Sequence, residues 1–199
     1  MWNERFAKPG YLFGTAPAQF MTGHADYFQP GISALSVADG EGRNSAYMAG
    51  RGVDVTAMDS SDVAVEKARA LALAQGVEVN FNVGDIAGWD WAAQEYDLVL
   101  GVFIQFVGPK ERVAQFASMQ QAVKPGGHLL LHGYTPKQLE FGTGGPPFVE
   151  NLYTEDLLRD TFAGFEIVAL NSYEREIDEG AGHSGMSALI DLVARKPVG

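Results

Sequence analysis

Two glycines and a carboxylate are the residues of this sequence whose spacing best supports chemistry. Gly40 and Gly42 stand in the run Ala38-Asp39-Gly40-Glu41-Gly42, between an apolar stretch and a helix-like one, and Asp59 follows Gly40 by 19 residues. Small residues let the backbone approach a ligand closely, while the next helix aims its free N–H groups and positive dipole at it. Asp59, at the tip of the following apolar stretch, can accept hydrogen bonds from both hydroxyls of a ribose. The combination suits an adenosine-type ligand, although an ordinary tight turn uses the same glycines. Asp85-Ile86 offers either a carboxylate and an apolar side chain to a flat base or simply a solvated loop.

A second group of polar residues falls at strand ends and in the loops beyond them: Gln105, His132, Tyr134, Tyr153 and His183. His132 and His183 can orient an anionic acceptor or take a proton; the alternative is a pair of hydrogen-bonded structural histidines. Trp2, Phe13, Phe103, Phe106, Phe141, Phe148 and Tyr153 can wall a small pocket or serve as core. No histidine and carboxylate spacing resembles a metal site, and none is expected.

These residues need a scaffold, and the sequence describes one. Ile32 to Ala38 reads as a first strand, Arg43 to Gly50 as a helix and Val53 to Met58 as a second strand. Ser60 and Ser61 can cap a helix that Gly76 ends before a third strand at Val77 to Val83. Tyr96 to Val102 is a fourth strand. Pro109 opens another helix, which ends near Lys124-Pro125-Gly126-Gly127, and His128 to Gly133 is the fifth. A Gly- and Pro-rich loop is expected over 134–151, of the kind that covers an active site. Thr154 then caps a short helix, and strands at Phe165 to Leu170 and Ser187 to Ala194 close the chain as an antiparallel hairpin, with the acidic stretch Glu174 to Glu179 between them. Strands alternating with helices imply an α/β fold with a mostly parallel sheet.

Bulk properties narrow the partners. At 199 residues the chain is expected to form a single domain, 1–199. A formal charge of −11 repels polyanions, so no nucleic acid partner is expected. There is no cysteine, which excludes disulfides and thiolate chemistry; Met1-Trp2-Asn3-Glu4-Arg5 lacks the basic-then-apolar layout of a signal peptide and no apolar run is long enough to span a membrane, so neither is expected. A cytoplasmic protein without a membrane partner, monomeric or a weak homodimer, is the expectation.

The pieces together resemble the class I S-adenosylmethionine-dependent methyltransferases, in particular the small group similar to tellurite-resistance and thiopurine methyltransferases. The matching stretches include Trp2-Asn3-Glu4-Arg5-Phe6, Tyr11-Leu12-Phe13-Gly14-Thr15, Gly40-Glu41-Gly42-Arg43-Asn44, Val55-Thr56-Ala57-Met58-Asp59-Ser60-Ser61, Tyr96-Asp97-Leu98-Val99, Lys124-Pro125-Gly126-Gly127 and Gly144-Gly145-Pro146. The resemblance implies a Rossmann-like, seven-stranded sheet whose last strand is antiparallel, with helices on both faces. It also implies S-adenosyl-L-methionine as methyl donor, S-adenosyl-L-homocysteine as product and a small-molecule acceptor, a thiol, an oxyanion or another soft anion. On it, Ala38, Asp39, Gly40, Gly42, Asn44, Asp59, Ser60, Ser61, Asp85, Ile86, Gly101 and Val102 line the donor site. Residues 1–28 form a lid that adds Arg5, Tyr11, Phe13 and Gly14, while His132, His183 and Tyr153 are the catalytic candidates.

The chain departs from the family pattern in two places: Ser36 replaces an acidic residue and Ala38 replaces the first glycine of the turn. Asp39 then puts a carboxylate beside a donor that carries a sulfonium and an ammonium, or else faces solvent. Two rival functions use the same turn: an NAD-dependent oxidoreductase, and a module that senses S-adenosylmethionine without transferring its methyl.

Overall fold

A computed structural model describes residues 2–199; Met1, the first residue of the expected lid, lies outside them. Its seven strands form one mixed sheet in the order β3-β2-β1-β4-β5-β7-β6, where β1 is Ser33–Val37, β2 Asp54–Asp59, β3 Asn80–Val83, β4 Tyr96–Val102, β5 Val123–Tyr134, β6 Glu166–Asp178 and β7 Ser184–Arg195. The helices are α1 (Trp2–Phe6), α2 (Gln19–Gly23), α3 (Arg43–Gly50), α4 (Asp62–Gln75), α5 (Pro109–Gln121), α6 (Gln138–Phe141) and α7 (Glu155–Thr161). None of the described helices is long and apolar enough to cross a membrane. The chain divides into two compact units, one formed by the residues up to Trp89 with Glu179–Gly182, the other by Asp90–Asp178 with His183–Gly199.

In the first unit β1, β2 and β3 are parallel, joined by α3 and α4. The two inner strands, β1 and β2, are buried on both faces, as a covered parallel sheet requires, with Ala34, Leu35, Val37, Val55, Ala57 and Met58 all buried. Ser61 caps α4 by accepting from the Ala64 N–H, and Gly76 ends it in a left-handed conformation. The turn between β1 and α3 holds three positive φ angles, at Ala38 (49°), Gly40 (63°) and Gly42 (87°). Gly42 has a second reason to be glycine: a Cβ there would lie 2.7 Å from the Ala68 Cβ, so α3 could not approach α4 as it does.

Residues of the turn fasten the N-terminal segment. Glu41 is buried, accepts the Leu12 N–H at 2.7 Å and pairs with Lys67 at 2.9 Å, and Lys67 also donates to the Lys8 and Gly10 carbonyls. Arg43 pairs with Glu179 at 2.7 Å, and Glu179 in turn accepts the Gln19 N–H. Asn44 accepts the Ala18 N–H. The segment 179–182 closes this arrangement, with the Gly182 N–H on the Leu12 carbonyl and Gly180 against the backbone of Phe13 and Gly14.

In the second unit β4 and β5 are parallel, while β7 runs antiparallel between β5 and β6. Two elements differ from the sequence expectation. Strand β5 begins at Val123, not His128, because Lys124-Pro125-Gly126-Gly127 forms an irregularity within the strand: Val123 pairs with Tyr96, the register shifts, and His128 pairs with Leu98. The acidic stretch after Leu170 is not a connection but the second half of β6, paired with β7 from Asn171 opposite Asp191 to Asp178 opposite Ser184. Glu174, Arg175, Glu176 and Asp178 are exposed there, and charges on an edge strand protect its open side against pairing with other chains. The 134–151 stretch is a connection that contains the short α6 and a single 3-10 turn at Val149–Asn151.

The turn and its anchor give two expectations. Ala38 occupies the left-handed region that a side chain disfavours, so Ala38→Gly should raise the denaturation free energy by roughly 0.5–1 kcal/mol, read from urea midpoints at constant m. Glu41→Ala removes both acceptors and leaves Lys67 without its carboxylate, which should cost roughly 2–4 kcal/mol and accelerate amide exchange at Leu12 ahead of the β1 and β2 amides.

Candidate functional site

The first unit gathers four acids about the glycine turn. Glu41 and Glu179 are paired with Lys67 and Arg43. Asp39 and Asp59 are different: among the described residues, their hydrogen bonds come from neutral groups. Asp59, at the end of β2 and 7% exposed, accepts the Gly40 N–H and the Ser61 N–H, each at 2.8 Å. Burial raises its pKa above the usual carboxylate value, and the N–H groups of Ser61, Gly40 and Ser60 oppose the rise. Asp39 is held by the hydroxyl of Ser36 at 2.6 Å and by that of Ser45 in the first turn of α3. Burial, opposed by the two serine hydroxyls and reinforced by the Asp59 charge, pushes its pKa up to about 6.

The sequence expected Asp39 either to face a ligand or to point to solvent. Its carboxylate accepts the Ser36 hydroxyl, at the position where the resembled family has an acid. Arg43, 7% exposed, uses Nη2 for Glu179 while its Nη1 is buried without a hydrogen-bond partner.

The other expected donor-side residues of this unit lie around the same turn or in the N-terminal segment. Tyr11 donates to the Lys67 carbonyl, Phe13 meets Phe6 edge-on at 6.3 Å, and Gly14 has φ 72°. Arg5 is exposed, with its guanidinium 4.6 Å above the Trp2 ring. Ser60 is exposed. Asp85 closes its own loop by accepting the Gly88 N–H at 2.7 Å, and Ile86 is half-buried.

In the second unit, Gly101 lies in β4 with a packing requirement of its own, since a Cβ there would meet the Ile104 side chain at 2.7 Å; Val102 follows at the strand end. His132 and Asp191 face each other across β5 and β7, with Nδ1 and Oδ1 2.6 Å apart. The Phe103 ring lies 4.7 Å from that of His132 and 4.1 Å from that of His183, edge-on to both. Two of the three catalytic candidates therefore share one aromatic cluster. Tyr153 does not belong to it in chemical character: it is 1% exposed, packs on Phe116, and has a hydroxyl with no hydrogen-bond partner. Burial drives its pKa well above the usual phenol value, with the Arg112 charge opposing, so it is poorly suited to take a proton.

Several groups escaped the sequence reading. Lys67 and Glu179 act through partners 26 and 136 residues away, and nothing local marks them. Asp191 carried a usable signal: it is the lone charge in Ala188-Leu189-Ile190-Asp191-Leu192-Val193-Ala194, and a charge inside a buried strand needs a partner.

Residues 34–127 match a family model described as a methyltransferase domain. The ubiquinone biosynthesis O-methyltransferase of Marinobacter nauticus is 32% identical over 129 residues, which cover 61% of this chain and 53% of the relative; the match thus spans about half of the relative's length. Among solved structures, one concerning conversion of a disulfide bond into a thioacetal group during echinomycin biosynthesis superposes with a TM-score of 0.80 at 18% identity, covering 98% of this chain and 88% of that one. TehB from Haemophilus influenzae gives 0.72 at 19% identity over 88% of this chain and 61% of that one. A S-adenosylmethionine-dependent methyltransferase from Methanosarcina mazei gives 0.72 at 20% identity over 88% and 97%. Residues 34–127 thus resemble a methyltransferase domain, and the chain has the Rossmann-like methyltransferase fold that these structures share.

Proposed function

We propose that this protein binds S-adenosylmethionine and transfers its methyl group to a small-molecule nucleophile. The observation that carries the proposal is the pair of carboxylates at the glycine turn, Asp39 and Asp59, which are hydrogen-bonded by serine hydroxyls and backbone N–H groups and not by a basic side chain. A buried carboxylate beside a half-buried one, neither hydrogen-bonded by a cation among the described residues, is costly, and a ligand bearing a sulfonium and an ammonium would supply positive charge there. The residues present fit such a donor. Asp59 has lone pairs left for ribose hydroxyls, and Gly40 offers the approach of a backbone without a side chain. Asp85 and Ile86 are the candidates for the adenine, and the anchored lid segment for excluding water. When bound, the donor supplies a methyl on positively charged sulfur, open to in-line displacement by a lone pair.

The relatives support the same assignment. One is named for O-methylation, and fold neighbours include structures of a magnesium protoporphyrin IX methyltransferase with S-adenosylmethionine and with S-adenosylhomocysteine bound.

Titration calorimetry with S-adenosylmethionine and with NAD tests the donor. The former should bind, and Asp59→Ala should weaken it by about 10–100-fold through loss of charge-assisted hydrogen bonds. Binding of NAD with no heat from S-adenosylmethionine would overturn the proposal. Binding of S-adenosylmethionine without transfer to any thiol, halide, selenite, tellurite or phenol would mark a sensor instead.

Asp39 adds a pH dependence. Its folded pKa, about 6, lies above the ordinary 3.8, so its stabilising contribution is complete below pH 3.8 and is lost as pH rises through 6, by up to roughly 3 kcal/mol. Asp39→Asn should lack that decline, visible as the difference between the two proteins' unfolding free energies at pH 4 and pH 7.

A further inference from the structure

The first unit holds a half-used guanidinium. Arg43 follows Gly42 directly and opens α3, so its side chain leaves the backbone at the exit of the glycine turn. It is 7% exposed. Nη2 donates to Glu179 Oε2 at 2.7 Å, whereas Nη1, which is also buried, has no hydrogen-bond partner. Glu179 does not complete the guanidinium with a second parallel bond, because its other oxygen, Oε1, accepts the Gln19 N–H at 2.9 Å. An arginine carries five N–H donors and cannot shed its proton, so burial leaves it with donors to place and no neutral form to adopt. Each buried donor left without an acceptor costs about 1–3 kcal/mol, and more on a charged group.

The other charges of the unit single this residue out. Asp39, Glu41, Asp59 and Glu179 make the surroundings of the turn acidic, so a ligand that brings an anionic group there needs a cation to meet it. The basic residues of the unit are Arg5, Lys8, Arg43, Arg51, Lys67 and Arg69. Lys67 has placed all three of its N–H donors, on Glu41 and on the Lys8 and Gly10 carbonyls. Arg5, Lys8, Arg51 and Arg69 are exposed, and a surface charge in high dielectric holds an anion weakly. Arg43 alone among these described residues combines burial with a nitrogen that has no acceptor.

We propose that Arg43 Nη1 holds the α-carboxylate at the amino-acid end of the methyl donor, which makes that carboxylate a requirement for binding. This rests on the donor assignment proposed above. Gly40, whose N–H braces Asp59, and Arg43 are three residues apart, a separation that one ligand made of a nucleoside joined to an amino acid can bridge. The donor's carboxylate is the group that the acids of the turn would repel, and a guanidinium already half-neutralised by Glu179 can accept it without becoming a net negative pair. Thioether nucleosides and decarboxylated donors share the adenosine but lack the carboxylate, so Arg43 discriminates against both. The same guanidinium connects the donor through Glu179 to the Gln19 N–H of the N-terminal segment.

Calorimetry with S-adenosylmethionine and with its decarboxylated form tests the assignment. Loss of one charge-assisted pair should make the wild type bind the decarboxylated form about 10–100-fold more weakly. Arg43→Gln should weaken S-adenosylmethionine by a similar factor and the decarboxylated form by no more than about threefold, since only the former has a carboxylate to lose. A purely structural arginine would instead lower both affinities alike. The wild type gives a second reading that stands even where the variant does not fold: in NMR of the arginine side chains, S-adenosylhomocysteine should slow solvent exchange of the Arg43 Nη protons, and 5′-methylthioadenosine, which has no carboxylate, should not. Equal affinity of the wild type for the two sulfonium ligands, equal losses in Arg43→Gln, or equal effects of the two thioethers on the Nη protons would overturn the role of Arg43 and leave the donor assignment standing. Failure of the wild type to bind S-adenosylmethionine or its decarboxylated form would overturn both.

Discussion

The hydrogen bonds from Gly40 and Ser61 to the Asp59 carboxylate join three pieces of backbone at one point: the tip of β2, the turn after β1 and the cap of α4. A carboxylate buried at a strand tip must find donors, and here it finds them in backbone N–H groups that would otherwise have no partner. The turn can then keep its run of positive φ angles, because its geometry is fixed from outside as well as by its glycines. Everything proposed for the donor site depends on that brace.

The string Gly40-Glu41-Gly42-Arg43-Asn44 has a divided role. Its glycines shape the turn, whereas Glu41, Arg43 and Asn44 point the other way and hold the N-terminal segment. A motif whose letters look like one ligand-binding signature is, physically, two structures interleaved in one string. Both halves explain why such a string is demanding, since a change at a glycine and a change at Glu41, Arg43 or Asn44 would damage different parts of the unit.

Much of the fold was legible because parallel strands covered on both faces read as continuous apolar runs, and β1, β2 and β4 were placed within a residue or so of their ends. The second half of β6 was not, since an exposed edge strand written Tyr173-Glu174-Arg175-Glu176 carries no apolar period and is defined only by its partner β7. The bulge in β5 hid similarly behind a Pro-Gly-Gly turn signal. For the site, the turn and Asp59 were legible from spacing. The Glu41 to Lys67 and Arg43 to Glu179 pairs were not, because they exist only after the chain has folded back on itself. Asp39 shows the limit in a single residue: its position was noticed, but whether its carboxylate faced a ligand, solvent or Ser36 depended on a side-chain rotation that no spacing encodes.

Segment 179–182 ties the N-terminal segment to a part of the chain far from it in sequence. Gln19 and Glu179 are 160 positions apart, and Arg43 and Glu179 are 136. Contacts of such long sequence separation form late, after the entropy of closing the loop has been offset by nearer ones. β1, α3 and β2 are neighbours along the chain and can assemble from local contacts, whereas the N-terminal segment gains its hold from 179–182 only once the long span between them has folded back.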